Sequence, residues 1–149
     1  MHPVAPWFPM STAPDLTRPQ APELLAAMQS LGHALGAPDE DPLWVDRTLH
    51  RLQVVGEAFA AHVEAAEGAD GIYADAVRTD GRLGFRAMRL CREHIAIESR
   101  LASITALVRS PGVEPMAIRH PIDVLLNELR KHRQRGADLI FEAYQQELG

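Results

Sequence analysis

Apolar residues recur at intervals of three and four positions over four stretches of the chain, which is the period of an amphipathic α-helix. Proline, glycine and acidic residues interrupt this pattern between the stretches, as turns require. We therefore predict one short and three long helices, and such a set closes naturally as an all-α, up-down four-helix bundle. The predicted helices cover about residues 22–35, 43–67, 83–108 and, from a start between 115 and 121, up to 148.

The longest predicted connection, residues 68–82, contains three glycines and must reverse the chain. Within it, the segment Ile72–Ala74 either belongs to the reversal or extends the second helix beyond a kink. The first twenty residues carry prolines at positions 3, 6, 9, 14 and 19, which stop a helix from propagating. We accordingly predict a flexible proline-rich arm over residues 1–20 and a helical bundle domain over residues 21–149.

Composition narrows the classes of protein to consider. Apolar residues make up 46% of the chain but aromatic residues only 5%, and alanine and leucine dominate, which favours helices over strands. The formal net charge of −5 argues against a nucleic-acid partner, and no stretch resembles a membrane span. Cys91 is the single cysteine, so no intrachain disulfide can form, and we expect a reducing, cytoplasmic location.

Each long predicted helix has one histidine on its apolar stripe, namely His62, His94 and His132. Two residues of an antiparallel pair lie at the same height when they are equally far from the loop that joins the helices. The midpoint between His62 and His94 is position 78, and that between His94 and His132 is position 113. Both midpoints fall in independently predicted connections. We therefore expect the three imidazoles to meet in the core, where helical bundles build metal sites.

Two carboxylates extend this candidate site. Glu98 lies one turn after His94 on the predicted inward stripe, and Glu67 lies five residues after His62. A carboxylate that faces an apolar core is costly unless it meets a metal or another cation. The predicted ligand set suits iron, zinc or manganese, and it consists of His62, Glu67, His94, Glu98 and His132.

Plainer explanations exist for the same residues. A single buried histidine is more often a hydrogen-bonded core residue than a ligand, Glu98 can pair with Arg100 or Arg130, and Glu67 can be a solvated acid at a helix end. The basic runs at 82–89 and 130–135 are typical of solvated faces paired with acids, and alternatively of an anion-binding surface or a surface for an acidic partner. No nucleophile or phosphate-loop motif is present, so the sequence offers no positive sign of an enzyme.

Short motifs in the three long helices resemble those of the hemerythrin-like (HHE cation-binding) domain family, over about residues 43–148. The resemblance implies a four-helix bundle with a non-heme di-iron site whose ligands are mostly histidines. It is carried by Phe59–Glu67 with Ile72 and Tyr73, by Arg92–Glu98, and by Leu126–His132 with Leu139–Phe141.

This chain departs from the family pattern at several ligand positions. Ala66 and Gly136 stand where the family carries carboxylates, Glu98 stands where the third helix carries a second histidine, and no first-helix ligand matches. The resemblance therefore implies a reduced, mononuclear site or a lost site rather than a standard di-iron centre.

The function that the resemblance implies is binding. We expect a protein that holds a non-heme metal, iron by preference, in its core, with an open position for a diatomic ligand. Sensing of oxygen, nitric oxide or peroxide, or iron handling, would follow. Redox enzyme chemistry is implied more weakly. The alternative is a metal-free bundle that acts as a regulatory module through a protein partner or a second copy of itself.

Overall fold

The computed structural model describes residues 20–148, and over this range the protein is helical and contains no strand. The predicted arm, residues 1–20, lies outside the described residues except for Gln20, which begins the first helix. The helices are α1 (Gln20–Gly36), α2 (Trp44–Glu67), α3 (Ile72–Thr79), α4 (Gly84–Val108) and α5 (Pro115–Leu148), and a 3-10 turn at Gly81–Leu83 precedes α4. No described helix is long and apolar enough to cross a bilayer.

The four predicted helices are confirmed as α1, α2, α4 and α5, but the long reversal contains a further helix, α3. A tight turn separates α3 from α2, and in it the amide of Gly71 donates to the carbonyl oxygen of Gly68 at 2.7 Å. A Cβ on Gly71 would lie 2.6 Å from the carbonyl oxygen of Ala66. Only glycine therefore allows the chain to fold back so closely, and Ile72 starts a new helix instead of extending α2.

The helices α1, α2, α4 and α5 pack in a closed ring in that order, and α3 lies against α2 and α5. Polar contacts between the helices show in which direction each one runs relative to its neighbour. Between α4 and α5, Arg86 contacts Glu142 and Arg100 contacts Glu128, so residue numbers rise along one helix as they fall along the other. The α1–α2 and α1–α5 contacts follow the same rule. Neighbouring helices of the bundle are therefore antiparallel.

The buried apolar residues form two clusters rather than one. The larger cluster joins all four long helices and includes Phe59, Ile97 and Leu129. The smaller cluster lies where α3 covers the bundle and includes Tyr73 and Leu90. On α2, α4 and α5 the predicted histidine falls between residues of the larger cluster and residues of the smaller one, so a polar layer divides the core.

Candidate metal centre

The three histidines predicted to meet are brought together in this layer. One ring nitrogen from each of His62, His94 and His132 lies within 4.8 Å of the others. His94 and His132 are 1% exposed, and His62 is half-buried. The ring of Phe59 lies 5.6–6.0 Å from all three imidazole rings, centre to centre, and closes the layer on the side of the larger cluster. The prediction that the three histidines lie at one level of the core is confirmed.

Two of the imidazoles are oriented by carboxylates on their outer nitrogens. Nδ1 of His132 lies 2.8 Å from a carboxylate oxygen of Glu93, and Nδ1 of His94 contacts the carboxylate of Glu67. Because a carboxylate only accepts hydrogen bonds, each Nδ1 carries the proton and each Nε2 keeps its lone pair. A carboxylate behind a histidine in this way is the usual arrangement around protein metal sites, where it fixes the tautomer and raises the basicity of the ligand.

The inner nitrogens face one another across the layer. Nε2 of His62 lies 3.2 Å from Nε2 of His132, and the hydroxyl of Tyr73 lies 3.5 Å from Nε2 of His94. Since Nε2 of both His94 and His132 accepts, His62 and Tyr73 are the donors in these contacts. The lone pairs that would bind an ion are thus held by two internal hydrogen bonds, and an ion would compete with both.

Burial keeps the imidazoles of His62 and His132 neutral. Burial, together with the neighbouring charges of His132 and His94, lowers the pKa of His62 to about 3. The pKa of His132 is also lowered, chiefly by burial, although its hydrogen bond to Glu93 opposes the change. A metal-ligating nitrogen must be unprotonated, so Nε2 of His132 is ready to bind an ion at neutral pH, whereas His62 must first move its proton from Nε2 to Nδ1.

Glu93 is the most connected acid of the centre. One oxygen accepts from His132, and the other lies 2.8 Å from Nε of Arg135 and 3.7 Å from Nε of Arg89. Burial raises the pKa of Glu93, but the hydrogen bonds from His132 and Arg135 outweigh it and leave the pKa lowered. The carboxylate is therefore ionised at neutral pH and can accept the hydrogen bond from Nδ1 of His132.

Glu98, predicted as a ligand, is exposed and stands outside the cluster. The buried positions of α4 at this height are His94, Ile97 and Leu101, so the inward direction runs between them. Successive helical residues are about 100° apart, and Glu98 follows Ile97 on the solvent side. The expectation that Glu98 faces the core is wrong. Glu67 does reach the centre, but behind His94, where it contacts Nδ1 rather than the inner nitrogens.

Two residues of the centre, Glu93 and Tyr73, were not among the predicted ligands. Glu93 could have been predicted, because it is adjacent to His94 in sequence and therefore lies close to the height that His94 shares with His132. Tyr73 was named only as part of the second-helix motif, and its place in the core was not predicted because α3 carries no long periodic pattern of its own. The buried side chains described on α1 are all apolar, and His33 of the same helix is exposed. The described part of α1 therefore adds no ligand to the centre.

The basic stripe at the start of α4 is paired with acids. Its partners lie in the connection before the 3-10 turn, on α5 and on α4 itself: Arg82 pairs with Asp80, Arg86 with Glu142 and Arg89 with Glu93. On α5, Arg135 is likewise held by Glu93. These residues follow the plainer interpretation, a solvated face neutralised by carboxylates, and not a free basic surface.

The donor set fits one metal ion. Ligands about 2.05 Å from a tetrahedral ion stand roughly 3.3 Å apart, close to the separations that His62 makes with His132 and Tyr73 with His94. The widest separation in the cluster, up to 4.8 Å, requires a side chain to move inward. Among the described residues no carboxylate joins the inner nitrogens, so the cluster offers nothing to bridge a second ion.

No protein-family model, no curated protein and no solved structure matches this chain.

Proposed function

We propose that this protein is a metal-binding helical bundle that holds one divalent first-row ion through Nε2 of His62, His94 and His132. The observation that carries the proposal is the orientation of the rings. Glu93 and Glu67 hold the outer nitrogens of His132 and His94, so the inner nitrogen of each ring is an acceptor. The three histidines bring one nitrogen each within 4.8 Å of the others, so one ion can replace the internal hydrogen bonds that His62 and Tyr73 make to these acceptors.

The choice of metal follows from the ligand type. Neutral imidazole suits zinc, iron, copper and nickel, and no thiolate lies in the cluster. The resemblance to hemerythrin-like domains favours non-heme iron, which accepts more than four ligands, so the protein side chains leave a coordination position open. Held by the three histidines, ferrous iron would offer this open position to a diatomic ligand, which is the basis of a sensing or iron-handling role. A cytoplasmic location belongs to the same proposal, because ferrous iron persists in a reducing compartment.

Elemental analysis of the purified protein tests the proposal. After anaerobic loading with Fe²⁺, and separately with Zn²⁺, we expect about one ion per chain. His94→Ala should lose the ion, and His62→Gln should weaken its binding in a milder way, because His62 is half-buried and its replacement disturbs the core less.

His33→Ala is the matched control, since it removes an exposed histidine of α1. It should leave metal content unchanged. A folded wild-type protein that takes up neither ion would refute the proposal, and so would equal losses in His33→Ala and His62→Gln.

A second candidate function, self-association, is favoured by a different observation. Phe85, Met88 and Ile95 lie on the outer side of α4 and are 81%, 50% and 68% exposed. A row of large exposed apolar side chains is typical of a contact surface. Sedimentation of the wild type and of Ile95→Glu tests this function. A concentration-dependent dimer that the substitution abolishes supports it, and a monomer at all concentrations refutes it.

A further inference from the structure

Tyr73 is the one oxygen-bearing side chain that reaches an inner nitrogen of the described cluster. It lies on α3, is 6% exposed, and its ring stacks on that of His94 at 5.7 Å and 15°. We propose that the hydroxyl oxygen of Tyr73 is the fourth protein ligand of the ion, giving a three-nitrogen, one-oxygen set. This inference rests on the proposed function, because it assigns a residue to the same centre.

The position of the hydroxyl supports ligation. It contacts Nε2 of His94, the nitrogen that faces the cluster, and not the outer Nδ1 that Glu67 holds. The O–N separation of 3.5 Å is near the roughly 3.3 Å expected for two ligands on one tetrahedral ion, so little movement is needed to bring both atoms onto the same metal.

Gly136 of α5 lies beside this hydroxyl. A Cβ built on Gly136 would lie 3.8 Å from the Tyr73 oxygen, which is ordinary contact, so α5 meets the hydroxyl without crowding it. The oxygen therefore reaches the cluster from α3 without obstruction at position 136.

In the metal-free protein the phenol is protonated. The hydroxyl donates to Nε2 of His94. When an ion binds, the O–H bond breaks, its proton passes to water, and an oxygen–metal bond forms. Nε2 of His94 exchanges its hydrogen bond for a bond to the same ion. No electron is transferred in this step.

An anionic, hard oxygen changes the preference of the centre. Imidazoles alone suit zinc and ferrous iron, whereas a phenolate adds affinity for the harder ferric ion. We therefore expect Tyr73 to favour retention of the oxidised metal. A ferric phenolate absorbs visible light, which reports the bond directly and without any measurement of activity.

The experiment uses the full chain, loaded anaerobically with Fe²⁺ and then oxidised with one equivalent of ferricyanide, which takes one electron from each iron. Three proteins are compared: wild type, Tyr73→Phe, and Tyr144→Phe, which removes the other tyrosine of the chain, a partly exposed residue of α5. We expect a visible band in the wild type and in Tyr144→Phe, and no band in Tyr73→Phe.

Metal retention provides the second measurement. Against a competing chelator, Tyr73→Phe should lose Fe³⁺ at least tenfold more readily than the wild type, while Zn²⁺ binding should change by only a few fold. Retained zinc also shows that the variant is folded. A wild type that binds no metal refutes the proposed function itself. A wild type that binds iron without the band, or a band that persists in Tyr73→Phe, overturns only the assignment of Tyr73.

Discussion

Glu93→Gln tests whether a buried carboxylate sets up the metal centre from behind its ligand. Glu93 lies on α4, is 18% exposed at its side chain, and holds both Nδ1 of His132 and Nε of Arg135 at 2.8 Å. Glutamine keeps the size of the side chain and one acceptor oxygen, but it removes the negative charge. His132 then stays in place with a weaker partner, so the change isolates electrostatics from packing.

The expected magnitude follows from the contacts that change. Loss of a carboxylate behind a ligating histidine typically lowers metal affinity about 10- to 100-fold, or about 1.4–2.7 kcal/mol. Without metal, replacing charge-assisted hydrogen bonds by neutral ones should cost about 1–2 kcal/mol of unfolding free energy. Zinc affinity is measured by competition with a chromophoric chelator, and stability by urea denaturation in the presence of EDTA.

Glu128→Gln is the matched control, because Glu128 pairs with Arg100 across the same two helices but in solvent. Those side chains are 37% and 43% exposed, so the pair should contribute less than about 1 kcal/mol. Its loss should leave zinc affinity unchanged. Zinc affinity within twofold of wild type in Glu93→Gln, or an equal loss in both variants, would refute the reasoning.

Three further predictions concern pH and the core. Because the folded-state pKa of His62 is lowered from 6.5 to about 3, and that of His132 is also lowered, the folded protein keeps both rings neutral while the unfolded chain takes up protons. The metal-free protein should therefore be fully stable above about pH 6.5 and lose at most about 1.4 kcal/mol per pH unit per histidine as the pH falls below it. Urea midpoints that stay constant down to about pH 5 would contradict this. Leu125→Ala, at a fully buried position of α5, should cost about 2–5 kcal/mol of unfolding free energy in the same assay, and a loss below 1 kcal/mol would contradict the core assignment. Trp44→Phe removes an indole N–H that donates at 2.8 Å to a backbone oxygen near the end of α1, and we expect a loss of about 1–3 kcal/mol; unchanged stability would mean that water satisfies that oxygen.

Most of the helical fold was predictable from the sequence, because the signals are local. The bounds of α2 and α4 follow from apolar spacing and from the residues that interrupt it, and they were placed within one residue. The meeting of His62, His94 and His132 was predictable for the same reason. Their heights depend only on distance from two loops, and rise along a helix is constant.

The rotation of each helix about its axis was not predictable with the same precision. An apolar stripe is about 100° wide or more, which is the turn from one residue to the next. The sequence pattern therefore admits both Glu93 and Glu98 to the edge of the inward face of α4. Packing against α5 decides between them, since it directs Glu93 toward Arg135 and His132 and leaves Glu98 in solvent.

The sequence by itself thus determined that one short and three long helices form, where they end, and that three histidines share one level. Only the tertiary structure decided which atoms face the centre. The turn at Gly71 folds α3 back over the bundle and delivers Tyr73 to His94, although no periodic pattern links the two residues. The physical reason is one of range. Helix formation and rise are governed by neighbours within a few positions, whereas the donors of a site depend on how distant helices rotate and pack together.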